Sequence, residues 1–336
     1  MMVQFPSVTV IIPAFNASAT LPRCLEALRR QTYPAELVRI IVVDDGSTDD
    51  TKEIALDFGV DIVTQCNKGA ASARNQGAQK AQSDLILFTD SDCEPIENWI
   101  AEMAAPFTAP DVVGAKGFYR SNQSNLTARF VQAEYEIKCR GLKPRDIIDF
   151  IDTYSAAYRC GVFIENGGFD TSYQGAAAED IEFSYRLSNK GYRLVAAYGA
   201  FVLHRHPESI RDYFRKKCRY AYWRAVTWQK HPQKAVNDSY TPNAQKLEVL
   251  FSPLLVLLLT GTLCWPAAFS AVFLLFILLF TLNELSYFRQ TRNDLCLLVS
   301  VPLFTFLRGM AGAIGVGARL TEIALSRPLG SFRFCR

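Results

Sequence analysis

An α/β architecture with a doubly wound, mostly parallel sheet is what this sequence predicts, on three observations. Between Val8 and Pro95, apolar runs of strand length alternate with helix-length segments, the pattern of a sheet whose strands run the same way. Each apolar run ends in a polar tip, and open α/β sheets collect ligands at the carboxyl ends of their strands. Farther on, Val249–Asn283 holds no charged residue, so a membrane region is expected after the α/β domain.

The first strand is Val8-Thr9-Val10-Ile11-Ile12, broken by Pro13 and followed by Ala14-Phe15-Asn16-Ala17. A helix is expected over Ala19–Gln31, where Leu21, Leu25 and Leu28 share a face. Val38–Val43 reads as a second strand, ending in Asp44-Asp45-Gly46-Ser47-Thr48-Asp49, with a helix over Thr51–Phe58 behind it. A third strand, Asp61–Thr64, leads into Asn67-Lys68-Gly69 and the small residues of Ala70–Gly77. Such a segment permits close backbone approach at a helix start and leaves Lys68 and Arg74 for phosphate. The fourth run, Leu85–Phe88, stops at Asp90-Ser91-Asp92. Residues i and i+2 of an extended segment point the same way, so both carboxylates can address one site. Hard oxygen donors of this kind suit Mg²⁺ or Mn²⁺ on a diphosphate. Singly, these tips are also ordinary turn and cap compositions. No G-x-G-x-x-G follows the first strand and no P-loop is present, which excludes both of those nucleotide sites.

In order, Val10-Ile11-Ile12-Pro13-Ala14-Phe15-Asn16, Val43–Asp49, Ala73-Arg74-Asn75-x-Gly77 and Asp90-Ser91-Asp92 resemble the family 2 glycosyltransferases of the GT-A fold, over Val8 to Trp228. The resemblance implies a nucleotide-sugar donor, UDP-linked, held by Asp44 or Asp45 and by the backbone of Pro13, Ala14 and Phe15. It implies a divalent ion, Mn²⁺ or Mg²⁺, on Asp92, with Asp90 at the sugar or ribose. Val112–Phe118 reads as a strand and Ala128–Leu142 as a helix. Phe163–Asp170 resembles the loop before the family's acceptor site, where Gly167-Gly168 permits positive φ and a close approach to the sugar. Glu179 and Asp180 open a helix, where the dipole favours negative charge. In the family the Asp of this pair is the catalytic base, which would make Asp180 the base and Glu179 an acceptor-side residue. Tyr192–Leu203 reads as a strand ending in His204-Arg205-His206. The resemblance puts one histidine on the metal, His204 as first off the strand and His206 as the alternative.

The net charge of +3 over 336 residues points to no nucleic-acid partner. Nine cysteines without a C-x-x-C pair imply reduced thiols in a cytosolic setting, and the N-terminus lacks the positive region of a signal peptide. The expected organisation is a catalytic domain over 1–207 (donor half 1–95, acceptor half 96–207), a basic helix and linker over 208–246, and a membrane region over 247–336. Ser209–His231 should be a helix capped by Ser209 and Asp212. Its Arg211, Arg215, Lys216, Lys217, Arg219 and Arg224 suit an anionic membrane surface at roughly 1 kcal/mol each.

Within 249–283, Gly261 and Pro266 divide a helical hairpin, and Arg289 and Arg292 after it place both flanks in the cytoplasm. Leu295–Val316 carries Arg308 at mid-length, which would cost about 2.5–3.5 kcal/mol at the bilayer centre. A third crossing would also export Arg319, Arg327, Arg333 and Arg336, so an interfacial or re-entrant segment is expected. Ala311/Gly315 and Ala313/Gly317 suit close helix contact. Membrane-anchored family members often carry Gln-x-x-Arg-Trp where this chain has Lys216-x-x-Arg219-Tyr220, which speaks against a polymer synthase of the cellulose type. The whole resembles succinoglycan-type enzymes: an inverting hexosyltransferase anchored in the plasma membrane, serving a lipid-linked glycan or nascent exopolysaccharide. A polyprenyl-phosphate sugar synthase and a catalytically silent, nucleotide-sugar-binding scaffold are the alternatives.

Overall fold

The computed structural model describes residues 5–140, 142, 147–173, 178–236, 238–239, 241–262, 265 and 268–332. It divides into two units, Met1–Asn122 with Leu142–Arg205, and Gln123–Gly141 with His206–Arg336.

The first unit holds β1 (Val8–Ala14), α1 (Leu21–Arg29), β2 (Val38–Asp44), α2 (Thr51–Asp57), β3 (Asp61–Thr64), α3 (Ala70–Lys80), β4 (Leu85–Phe88), β5 (Cys93–Pro95), α4 (Trp99–Ala104) and β6 (Val112–Arg120). α5 (Leu126–Cys139) leaves for the second unit, and the first resumes with β7 (Ile147–Ile148), β8 (Ala156–Arg159), α6 (Cys160–Glu165), α7 (Glu179–Asn189) and β9 (Arg193–His204). The strands form one sheet in the order β3-β2-β1-β4-β8-β6-β9-β5, with β7 on β9. β1 is apolar except for buried Thr9 because both faces are covered, as expected of parallel strands. Val8, Val10 and Ile12 pack with Leu21, Leu25 and Leu28 of α1, whereas Ile11 joins Ala73, Ala78, Phe163 and Phe183 on the opposite face.

β3, β2, β1 and β4 run parallel, as the strand–helix alternation predicts. The other half is more mixed: β8 is antiparallel to β4 and β6, and β5 and β7 are antiparallel to β9, while β6 and β9 are parallel. β8 is only four residues long. Local periodicity does not distinguish such a strand from a parallel one.

The second unit comprises α5, α8 (Ile210–Lys230), α9 (Gln233–Val236), α10 (Asn243–Gly261), α11 (Ala268–Thr291) and α12 (Leu295–Ala324). α5 belongs here because Phe130 and Ala133 pack with Tyr213, Tyr287, Leu297, Val301 and Phe304, so the boundary is less simple than a single cut near 207. Ser209 caps α8 as expected, accepting from Asp212 N–H at 3.0 Å. Of that helix's basic residues, Arg211 and Arg215 are exposed while Lys217 turns inward onto Glu134 at 2.6 Å.

Where an interfacial or re-entrant segment is expected over 295–316, α12 is one continuous 30-residue helix, long and apolar enough to cross a membrane by length and composition. Arg308 is not an isolated charge in it, since Glu248 accepts from Nε and Nη2 at 2.8 and 2.7 Å. Close contact runs through Gly315 and buried Ala311 of the expected set, joined by Gly309 and Gly312. A Cβ on Gly309, Gly312 or Gly315 would lie within 2.1–2.7 Å of Ser252, Val249 or the Cys218 carbonyl, while Gly317 meets open space. Leu263, Cys264 and Pro266 of the expected hairpin tip, the Arg289 side chain, and Arg333 and Arg336 lie outside the described residues.

Candidate active site

Three loops at the carboxyl ends of β1, β2 and β3 are tied together by their own polar groups. Asn16 Oδ1 accepts from Thr48 N–H at 2.9 Å, and Ser47 Oγ accepts from Asn16 N–H at 2.9 Å. Asp44 accepts from Ser47 N–H at 3.0 Å. Asp45 accepts from Lys68 N–H, Gly69 N–H and Gln65 Nε2 at 2.7, 2.8 and 2.6 Å. Pro13, Ala14 and Phe15 lie beside this tip, with the Phe15 ring half exposed and the Lys68 side chain in solvent.

The Arg74-Asn75-x-Gly77 motif resolves into three separate duties. Gly77 faces β1 so closely that a Cβ would lie 2.4 Å from Ile11 Cγ2. Asn75 donates to Phe169 O and accepts from Phe169 N–H, both at 2.8 Å, clamping the loop that contains Gly167 and Gly168. Both glycines have positive φ, but Gly168 makes its close approach to Asn75, not to open cleft: a Cβ there would sit 2.5 Å from Asn75 Oδ1.

Arg74 corrects the sequence reading. Its guanidinium is buried and bridges Asp90 at 2.6 Å and Glu179 at 3.0 Å, so its fork is taken up by carboxylates instead of being presented to phosphate. Burial opposes its charge, but Asp90 and Glu179 outweigh that and raise its pKa. Glu179 is corrected for the same reason: its carboxylate, 3% exposed, is drawn onto Arg74 rather than presented to an acceptor.

Asp180 is the next residue. It accepts from Thr153 N–H at 3.2 Å and from its neighbour Ile181 N–H at 2.8 Å. Burial, then Glu179 and Asp152, push its pKa well above the carboxylate range, as expected where like charges share a low-dielectric site. A carboxyl group in this state exchanges a proton nearer neutrality than an exposed one.

Asp92 has a different fate from Asp90. The antiparallel register of β5 and β9 sets Cys93 opposite His204, which brings Asp92 Oδ1 within 3.5 Å of His204 Nδ1. The rings of Tyr119 and Tyr154 lie 5.6 and 6.4 Å from the imidazole. His206 belongs to the other unit, where Nε2 lies 3.0 Å from Gln132 Oε1. Carboxylate and imidazole at this separation fit one divalent ion, with positions left for phosphate oxygens and water.

Sequence reasoning passed over Lys116, which is wholly buried, pairs with Asp152 and contacts Tyr154 Oη at 3.0 Å. The signal was there: it is the one charge in the interior of the otherwise buried Val112–Phe118. Cys93 was also passed over, although it follows Asp92 directly.

Residues 9–167 match the family model described as glycosyl transferase family 2. Among curated relatives, glycosyltransferase AglE of Haloferax volcanii is 27% identical over 208 residues, 59% of this chain and 67% of that protein. O-antigen chain rhamnosyltransferase RfbN of Salmonella typhimurium is 29% identical over 235 residues, 62% of this chain and 69% of that protein. Several other relatives are matched over only about half of their own length. Among solved structures, the mannosyltransferase PcManGT of Pyrobaculum calidifontis, in complex with GDP-Man and Mn²⁺, superposes with a TM-score of 0.60 at 19% identity, over 95% of this chain and 88% of that one.

Proposed function

Because the chain carries a glycosyl transferase family 2 domain on a GT-A fold, we propose that it transfers a sugar, with inversion, from a nucleotide-sugar to an acceptor held at a membrane. The observation that carries this reading is the Asp90–Arg74–Glu179 ion-pair chain, which fixes the end of β4 to the head of α7 and so holds Asp180 beside the donor-side loops. Asp180 takes the proton of the acceptor hydroxyl as that oxygen attacks the anomeric carbon, and the nucleoside diphosphate departs from the opposite face. A base that starts with a raised pKa is well matched to this step near neutral pH.

Asp92 and His204 would hold a divalent ion, which would supply positive charge against the leaving diphosphate. Arg74 sets a positive charge against Asp90, so the two carboxylates of Asp90-Ser91-Asp92 are not left uncompensated. The Asp44–Asp45 tip and the Pro13–Phe15 backbone form the nucleoside end, and exposed Lys68 is free to approach phosphate. UDP is the first donor to test, with GDP next because the mannosyltransferase relative of known structure holds GDP-Man with Mn²⁺. α12, by its length and apolar composition, and exposed Arg211 and Arg215 support a plasma-membrane location, with a lipid-linked or polysaccharide acceptor in reach.

The test is calorimetry with UDP and GDP, with and without Mn²⁺, on the full chain and on Asp92→Ala, beside a panel of labelled nucleotide-sugars. Ion-dependent nucleotide binding that Asp92→Ala abolishes is expected. Equal affinity in both proteins, with and without Mn²⁺, would remove Asp92 from this role.

A further inference from the structure

The ion-binding pair has a neighbour of a different chemical kind. Cys93 Sγ lies 3.6 Å from His204 Nδ1 and 3.9 Å from Asp92 Oδ1, and Asp92 Oδ1 lies 3.5 Å from the same nitrogen. Each of the three offers one ligand atom, and all these atoms fall within 4.8 Å of one another. Tetrahedral coordination with ordinary zinc–ligand bond lengths sets donor atoms about 3.3–3.6 Å apart. Adjacent donors around octahedral Mg²⁺ stand only about 3.0 Å apart. The triangle is therefore closer to one face of a tetrahedron than to an octahedral face.

We infer that Cys93 is a third protein donor at this centre, which makes the site selective for borderline ions such as Zn²⁺, Co²⁺ and Cd²⁺ over Mg²⁺. The donor set points the same way: carboxylate suits Mg²⁺ and Mn²⁺, imidazole suits zinc-like ions, and thiolate selects for them strongly. Binding displaces the thiol proton to solvent as the metal–sulfur bond forms. Asp92 is the most exposed of the three donors, so water or a phosphate oxygen would reach a bound ion from its side. A zinc ion there would occupy the place that Mn²⁺ takes with the donor, so Zn²⁺ acts as a competitor at the centre. The inference rests on the assignment of Asp92 and His204 to the metal, and its readout is separate from transfer.

The experiment is a Co²⁺ titration of the full chain, followed by the thiolate-to-cobalt charge-transfer absorption, with Zn²⁺, Mn²⁺ and Mg²⁺ as competitors. A saturable band is expected that Zn²⁺ displaces and Mg²⁺ does not. Cys93→Ser, nearly isosteric at this buried position, should lose the band, with denaturant unfolding as the check that the variant still folds. His204→Ala should weaken the band and Cys24→Ala should leave it intact, which separates this thiol from the other buried one nearby. No band in a protein that binds nucleotide with Mn²⁺, or a band surviving Cys93→Ser, would overturn the inference. Loss of Mn²⁺-dependent nucleotide binding in the unmodified protein would instead strike the functional reading beneath it.

Discussion

Two buried arginines, one in each unit, are held by the same device and serve different ends. Arg74 bridges Asp90 and Glu179, whereas Arg308 bridges Glu248 and Glu134 and donates to Tyr287 Oη at 2.5 Å. Beside Arg74 stands a third carboxyl group, Asp180, which burial and two neighbouring carboxylates keep protonated into a higher pH range. The partners of Arg308 are groups on α5, α10 and α11, and the product is a cross-link among helices. A buried ion pair is thus no mark of chemistry by itself, as its uncertain worth to stability also suggests. What distinguishes the first site is its place, with Asp90 just past the end of β4 and Glu179 beside Asp180 at the head of α7.

The comparison breaks most visibly at Arg308. Arg308→Ala strands Glu248 without its partner and should cost about 3–5 kcal/mol of stability, read from denaturant unfolding. Replacing both partners, Arg308→Met with Glu248→Met, should recover most of the loss, because an apolar pair of similar volume is often no worse than the salt bridge. The matching changes at the other site, Arg74→Met with Glu179→Gln, should recover only part of the stability that Arg74→Met alone costs, because Asp90 also loses its partner, and should not restore transfer. Equal recovery of transfer would mean that Arg74 is as purely structural as Arg308.

A smaller effect is expected at the loop that Asn75 clamps. Gly168→Ala combines positive φ with a Cβ driven to 2.5 Å from Asn75 Oδ1, and should cost about 1–3 kcal/mol. Gly167→Ala, whose nearest atom is 3.9 Å away, should cost less. Equal costs would show that backbone strain alone governs this loop.

The finest distinction is the pH profile. Asp180 must lose its proton to act as base, so kcat/KM should rise as pH climbs through its raised pKa. In stability the sign is the reverse. The folded chain keeps a proton that the unfolded chain gives up near the ordinary carboxylate range, so this contribution is complete below that range and is lost as pH rises through the folded pKa. Glu179→Gln removes one of the charges that raise Asp180, and the acid limb of kcat/KM should move to lower pH. An unmoved limb would assign it to another group.

Much of the donor side was legible because it is local. Strand length, alternation with helices and the Asp-rich tips are written in runs of a few residues, and β1, β2, β3 and β4 appear where those runs stand. Asp92 and His204 needed the family resemblance, since the β5–β9 register that joins them spans more than a hundred residues. Arg74 was misassigned because composition shows a cation beside small residues but not the two distant carboxylates that consume it. Arg308 misled in the same way: its cost was reckoned for an isolated charge, and its partner Glu248 lies on another helix. Lys116 is the instructive omission, because a single charge inside an apolar strand always requires a partner.

The most direct measurement is transfer by Asp180→Asn, with nucleotide binding followed on the same preparation. This substitution keeps the shape and removes the proton acceptor. A base at Asp180 predicts transfer slower by about 10²–10⁴-fold, with the affinity for UDP or GDP and for the ion unchanged. Transfer near the unmodified rate would contradict it, and would favour attack by a lipid phosphate, which has no hydroxyl proton to remove.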